Sequence, residues 1–142
     1  MEKCDYFNYA KNIIENNNSE VAIRTSISRS YYSCYYHAGE LLKIGYKQSQ
    51  EWSLMPFGEH KKLIDSLIKF NGCKESYPKK LVAKIGNNLN ILKIKRHDAD
   101  YNLGLTYTKQ KALQVINDSE RLINLVNTCI ADRENSVSGI EK

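Results

Sequence analysis

Apolar residues recur every three or four positions along most of the chain, a spacing typical of amphipathic helices. No segment alternates strongly enough to predict a strand. We therefore expect an all-α fold, an antiparallel four-helix bundle with one additional short helix. The predicted helices span residues 3–16, 20–43, 59–70, 77–100 and 109–133, and residues 45–58 are expected to form a loop.

Capping residues mark the ends of these helices. Ser19, Ser76 and Thr108 precede the second, fourth and fifth helices, where a side-chain oxygen can accept a backbone N–H. Pro78 fits a first helical turn, where its missing N–H costs little. Gly45 is the stop signal of the second helix.

The length of 142 residues predicts a single helical domain, residues 1–133, followed by a disordered tail at 134–142. The N-terminus lacks the plan of a signal peptide, and no apolar run is long enough to span a bilayer. We expect a soluble cytoplasmic protein with no membrane partner. The four cysteines and three histidines lack the spacing of a disulfide framework or a zinc site, so we expect no cofactor and no metal.

Positive charge is concentrated in one part of the chain. The net charge is +5, but residues 60–97 alone carry ten Lys or Arg and two acids, which leaves the rest of the chain at −3. Such a basic sector favours a phosphate-rich partner. A set of lysines that merely solvates two helix faces is the more common alternative.

The fourth predicted helix places an arginine on its buried side. Its apolar stripe consists of Leu81, Ile85, Leu89 and Leu92. The next position of that stripe is Arg96, and one further turn reaches Asp100. Because a lone buried charge is costly, either Asp100 neutralises Arg96 or Arg96 faces a cleft that binds an anion.

The second predicted helix carries four tyrosines within six residues. Tyr31 and Tyr35 lie on its buried stripe, where a phenol usually has a hydrogen-bond partner. Tyr32 and Tyr36 lie to the side, where they can pack against a partner subunit or stack on a base.

Histidines and a further arginine offer weaker signals. On the second helix, Arg29 and His37 share a broad face, which is compatible with a small anion site or with purely structural roles. His60 opens the third helix, and from its position we assign it only packing or capping.

Two segments together resemble the HEPN superfamily, in its small stand-alone prokaryotic branch. Residues 28–42, SRSYYSCYYHAGELL, resemble the signature of its second helix, and residues 96–101, RHDADY, resemble the end of its long fourth helix. His60 falls where that branch often has a histidine. The resemblance implies that the predicted all-α bundle is HEPN-like and that it forms a homodimer. Many members are metal-independent ribonucleases, toxins or antiviral effectors, and others pair with minimal nucleotidyltransferases.

The ribonuclease branch of the family has an arginine followed four to six residues later by a histidine. Arg96 and the polar His97 match the beginning of that motif, but the three possible closing positions hold Tyr101, Asn102 and Leu103. We therefore favour an RNA- or nucleotide-associated effector or binding component of a toxin–antitoxin or antiviral defence system, with a defence protein or nucleotidyltransferase as possible protein partner. The alternatives are an active metal-independent endoribonuclease toxin and a non-catalytic accessory subunit that docks on a protein.

These hypotheses assign roles to seven residues. The predicted catalytic residues are Arg96, His97 and Tyr101. The predicted nucleotide- or RNA-binding residues are Arg29, Tyr32, His37 and Asp100.

Overall fold

The chain folds as an all-α bundle. The computed structural model describes the backbone of residues 2–141 and the side chains of residues 2–131. That part of the chain contains six α-helices and no strand: α1 (Lys3–Asn16), α2 (Glu20–Gly39), α3 (Gln50–Leu54), α4 (Glu59–Lys69), α5 (Lys79–Tyr101) and α6 (Lys109–Glu141). The predicted all-α class is confirmed, with one short helix, α3, more than the sequence predicted.

Helix α2 lies at the centre of the bundle and packs against α1, α5 and α6. It runs antiparallel to α1, since Lys3 at the start of α1 forms an ion pair with Glu40 just after α2, with 2.6 Å between Nζ and Oε1. Small residues on α2 permit this close packing from several sides, because Ser26, Ser30 and Ala38 are all fully buried.

Two of the three predicted caps are present. The Ser19 hydroxyl accepts the Ala22 N–H at 3.1 Å, and the Thr108 hydroxyl accepts the Lys111 N–H at the same distance. The prediction for Ser76 is wrong, because the N-cap of α5 is Pro78. An N-cap needs an extended backbone, and the φ of −63° and ψ of 115° at Pro78 supply it two residues closer to the helix.

Helix α2 ends at Gly39, four residues before the predicted end at Lys43. The chain instead turns so that Leu42 pairs with Cys73 in an isolated antiparallel bridge. The Lys43 N–H donates to the Gly72 carbonyl at 2.8 Å. Leu41 and Leu42 are buried by this turn. Their apolar periodicity was therefore a signal of burial and not of a continuing helix.

The predicted loop at 45–58 contains a 3₁₀ turn, Tyr46–Gln48, and the short helix α3. The Ser49 hydroxyl caps α3 by accepting the Trp52 N–H at 3.2 Å. Trp52 is 3 % exposed and Met55 packs partly buried against the core, so this segment covers one edge of the bundle.

The domain boundary at residue 133 and the predicted disordered tail at 134–142 lie outside the residues whose side chains are described, and they stay predictions. None of the helices within the described residues is both long and apolar enough to cross a membrane.

Candidate functional site

Arg96 lies in the middle of a polar and aromatic cluster between α2, α4 and α5. Its side chain is 12 % exposed, and Nη1 donates to Asp100 Oδ2 at 3.2 Å. The guanidinium carbon lies 5.5 Å from the Tyr31 ring centre and 5.6 Å from the Tyr32 ring centre. Its Nε is buried and has no hydrogen-bond partner among the described residues. Arg96 is thus paired, but the residues whose side chains are described accept from only one of its five N–H donors.

Asp100 is shared between two helices. Its Oδ2 accepts the Arg96 bond and also a bond from the Ser28 hydroxyl of α2 at 3.2 Å. Its side chain is 28 % exposed, so the carboxylate faces solvent more than the guanidinium does. The pairing of Arg96 with Asp100, one of the two possibilities the sequence left open, is therefore present in the structure.

His60 joins the same cluster from the first turn of α4. Its Nδ1 lies 2.6 Å from the Tyr31 hydroxyl, and its ring stacks on Tyr35 with centroids 4.2 Å apart. The Tyr32 ring meets His60 edge-on at 5.8 Å. The Tyr31 and Tyr32 rings therefore lie between His60 on one helix and Arg96 on another.

The surroundings keep both members of the Tyr31–His60 pair neutral. Burial raises the pKa of Tyr31 well above its usual value, although the charge of Arg96 acts in the opposite direction. Burial lowers the pKa of His60, and the nearby cations of Arg96 and Lys93 lower it further. A neutral imidazole beside a guanidinium can accept a proton, which is the chemistry that acid–base catalysis requires.

Arg24 holds the end of α5 in place. This buried arginine of α2 donates through Nη1 to the carbonyls of Ala99 at 3.0 Å and Asn102 at 3.1 Å. Nη2 donates to the Leu105 carbonyl and to Glu20 Oε1, the latter at 3.0 Å. Arg24 thereby satisfies carbonyls that a helix end leaves without partners and fixes the segment that carries Arg96 and Asp100.

Neither the role of Arg24 nor that of His60 was assigned from the sequence. For Arg24, the available signal was its position on the same face of α2 as Ser28 and Tyr31, one turn after Glu20. For His60, the signal was its match to a histidine of the HEPN branch, together with the need of the buried Tyr31 hydroxyl for a partner, which the structure confirms.

The other two predicted catalytic residues lie apart from this cluster. His97 and Tyr101 are one turn apart on an exposed face of α5, and their ring centroids are 4.9 Å from each other. Within the described residues, the ring contacts of Arg96 are to Tyr31 and Tyr32 and not to either of these rings. The structure brings together Arg96 and Asp100, but not Arg96 with His97 or Tyr101.

Of the predicted binding residues, Tyr32 lies in the cluster, and Arg29 lies beside it. The guanidinium carbon of Arg29 is 5.9 Å from the Tyr32 ring centre, and the Arg29 side chain is exposed. His37 is 5 % exposed and faces α1, and its Nδ1 lies 2.8 Å from the Ser33 carbonyl. Burial lowers the pKa of His37. Arg29 and His37 thus have different surroundings, since Arg29 is exposed beside Tyr32 and His37 is buried.

The basic sector is partly neutralised. Lys62, Lys69 and Lys95 each lie within 4 Å of a carboxylate, and Lys62 is largely buried. Three of the nine lysines in residues 60–97 are thus paired within the protein, as the alternative expects for lysines that cover helix faces. Among the described residues, no group of His, Cys, Asp or Glu side chains has an arrangement that could hold a metal ion.

Comparison of the chain with protein-family models, with curated proteins and with solved structures found no match. The resemblance to HEPN domains therefore rests on the two sequence segments at 28–42 and 96–101. In the folded chain these segments lie side by side, since Ser28 and Tyr31 of the first contact Asp100 and Arg96 of the second.

Proposed function

We propose that this protein is a HEPN-like, RNA-associated component of a toxin–antitoxin or antiviral defence system, acting as a homodimer, in which Arg96 receives a phosphate of the RNA. The observation that carries the proposal is the state of Arg96. Its side chain is 12 % exposed and its guanidinium packs on two tyrosine rings, yet within the described part of the chain only one of its N–H donors has a hydrogen-bond partner, Asp100.

A phosphate suits the unused donors of Arg96. The planar guanidinium binds phosphate oxygens through two parallel N–H bonds, and such bonds strengthen where water is excluded. The ion pair with Asp100 does not prevent phosphate binding, because the Asp100 carboxylate is more exposed than the Arg96 side chain and already has the Ser28 hydroxyl as a second partner. Asp100 can hold Arg96 in position through Nη1 while a phosphate takes other Nη donors, since the buried Nε is out of its reach.

Binding of a labelled single-stranded RNA to the purified protein tests this proposal. A charge-assisted hydrogen bond contributes about 1.5–3 kcal/mol, so Arg96→Gln should weaken binding roughly 10- to 150-fold. The matched control is Arg121→Gln, because the side chain of Arg121 is 80 % exposed on α6 and also pairs with an aspartate. Equal affinities of wild type and Arg96→Gln, with both proteins folded by circular dichroism, would contradict the proposal.

The position of His60 favours a second candidate, an active metal-independent endoribonuclease. The histidine that the RNA-cleaving HEPN motif places after Arg96 is missing, but His60 reaches the same cluster from α4. In the tautomer whose Nδ1–H donates to the Tyr31 oxygen, Nε2 has a free lone pair. His60 would then accept the proton of an RNA 2′-hydroxyl, and Arg96 would stabilise the charge on the phosphorus oxygens.

The reaction would cleave the RNA strand at one linkage and leave a 2′,3′-cyclic phosphate on one fragment and a 5′-hydroxyl on the other. The 2′-oxygen bonds to phosphorus, the bond to the 5′-oxygen breaks, and the proton held by His60 passes to that leaving oxygen. Wild-type protein should release these products and His60→Gln should not, whereas His97→Gln should cleave like the wild type. If wild-type protein binds RNA through Arg96 but does not cleave it, the ribonuclease function is excluded and the binding function still stands.

A further inference from the structure

A cavity lies beside the Arg96 cluster, on the side of α1. It has a volume of about 470 Å³ and is lined by Asp5, Tyr6, Tyr9 and Arg29. Tyr9 is 57 % exposed, so its ring is open to a ligand. The size falls in the range of small-molecule sites, which combine aromatic walls with a few polar groups.

Arg29 is an exposed cation available to a ligand. Its guanidinium lies over the Tyr32 ring, and the part of the chain whose side chains are described contains no carboxylate in ion-pair contact with it. This differs from Arg24 and Arg96, each of which has a carboxylate partner. A planar guanidinium already aligned with a ring is suited to stack on a second flat group.

Tyr32 connects this cavity to the Arg96 cluster. The guanidinium groups of Arg29 and Arg96 both lie within 6 Å of the Tyr32 ring centre. The Tyr6 ring, which lines the cavity, lies 6.3 Å from Tyr32 and stacks on Tyr36 at 5.3 Å. Consecutive nucleotides of one strand can therefore span from Arg96 to the cavity.

The charges at the cavity favour a neutral ligand group. Asp5 balances Arg29, so the cavity offers a phosphate little net attraction. Asp5 Oδ2 accepts the Glu2 N–H at 2.7 Å, which leaves the other carboxylate oxygen to accept N–H groups of a ligand. Aromatic walls with one cation and one acceptor match a nucleobase, which has a π-face and N–H donors at its edge.

We propose that the cavity lined by Asp5, Tyr6, Tyr9 and Arg29 is a nucleobase subsite for single-stranded RNA, and that it prefers guanine. The inference rests on the proposed function, because the base belongs to the strand whose phosphate Arg96 binds. Guanine presents two adjacent N–H donors, at N1 and N2, to the Asp5 carboxylate: one bonds the free oxygen, and the other shares Oδ2, which has a second lone pair beside the Glu2 N–H bond. Tyr9 and Arg29 cover the face of the base.

The test uses labelled uridine octamers that carry, at one central position, either guanosine or an abasic residue. The two probes have the same number of phosphates, so they differ only in the base. Stacking of one base contributes about 1–3 kcal/mol, so the wild type should bind the guanosine probe roughly 5- to 150-fold more tightly. Tyr9→Ala and Arg29→Gln should each reduce that ratio towards one. The control is Leu54→Ala, at a 71 % exposed position on α3, which should keep the wild-type ratio.

The role of Asp5 is tested with adenosine, cytidine and uridine at the same central position. The wild type should bind the guanosine probe most tightly, and Asp5→Asn, which can still accept the Glu2 N–H, should lose that order. Equal affinity for all four bases would overturn the preference. Equal affinity for guanosine and abasic probes, with binding still dependent on Arg96, would overturn the subsite alone. No binding of any probe would overturn the subsite together with the proposed function.

Discussion

The Tyr31 hydroxyl and His60 Nδ1 lie 2.6 Å apart and join α2 to α4. Tyr31 is fully buried, so its hydroxyl depends on this histidine for a hydrogen bond. The contact also places the titratable ring of His60 near Arg96. Burial lowers the pKa of His60, and the positive charge of Arg96 lowers it further. The hydrogen bond between Tyr31 and His60 thus stabilises the core and positions His60 in the candidate site.

The lowered pKa of His60 makes the stability of the protein depend on pH. Unfolded chains take up a histidine proton near pH 6.5, whereas folded His60 takes it up only at lower pH. The free energy of unfolding should therefore be at its full value above about pH 6.5 and fall as the pH drops from there through the lowered pKa. Urea denaturation at about pH 7.5 and about pH 5.5 measures the difference. His60→Gln should show a smaller loss than wild type, and an unchanged loss would contradict the assignment.

Replacing Arg24 should destabilise the fold strongly. Arg24→Met removes the donors to the Ala99 and Asn102 carbonyls; the buried Ala99 acceptor loses its Arg24 bond, and the Asn102 carbonyl keeps the Leu105 N–H. We expect a loss of roughly 3 kcal/mol in the free energy of unfolding, measured by urea denaturation. Arg121→Met, at an 80 % exposed side chain, should change it by about 0.5 kcal/mol or less. Similar losses of stability in the two variants would contradict the role of Arg24 in holding the end of α5.

Gly86 lets α4 and α5 approach closely. A Cβ at this position would lie 2.9 Å from Leu67 Cβ and 3.1 Å from the Ile68 backbone nitrogen. Overpacking costs about 1–3 kcal/mol, which exceeds the helix-propensity gain of about 1 kcal/mol for Gly→Ala. Gly86→Ala should therefore lower the melting temperature. Gly39→Ala, where the nearest atom is Lys47 Nζ at 3.7 Å, should raise it or leave it unchanged.

Only one of the four cysteines should react in the folded protein. Cys4 is exposed, while burial raises the pKa of Cys34 to about 12 and that of Cys73 to about 11. Cys129 is also buried. A thiol reagent such as DTNB should modify one thiol per chain rapidly under native conditions and all four in denaturant. Cys4→Ser should abolish the rapid reaction, and rapid reaction of a second thiol would show that the core opens.

Periodicity and capping predicted most of the helices but not their tertiary partners. The bounds of α1 and the caps at Ser19 and Thr108 follow local rules, and the structure agrees with them. The end of α2 depends on the bridge between Leu42 and Cys73, which is a contact between distant segments. Local sequence cannot reveal such a contact, so the predicted helix continued for four residues too many.

The candidate site was predictable along single helices, for Arg96 and Asp100 on α5 and for Tyr32 on α2, but not across helices. Helical spacing placed Arg96 and Asp100 one turn apart, and the structure shows their pairing. His60 and Arg24 reach the same region from α4 and α2, and their approach depends on how the helices pack. A single sequence contains no direct signal for such convergence beyond a buried phenol in need of a partner.

The salt dependence of RNA binding tests the central claim, that Arg96 contacts a phosphate, most directly. For single strands, the plot of log affinity against log salt has a slope of about −0.7 for each phosphate neutralised. Loss of one phosphate contact in Arg96→Gln should make the slope shallower by about that amount, while Arg121→Gln should keep the wild-type slope. A fold defect would lower the affinity without this selective change in slope. An identical slope for wild type and Arg96→Gln would contradict the account.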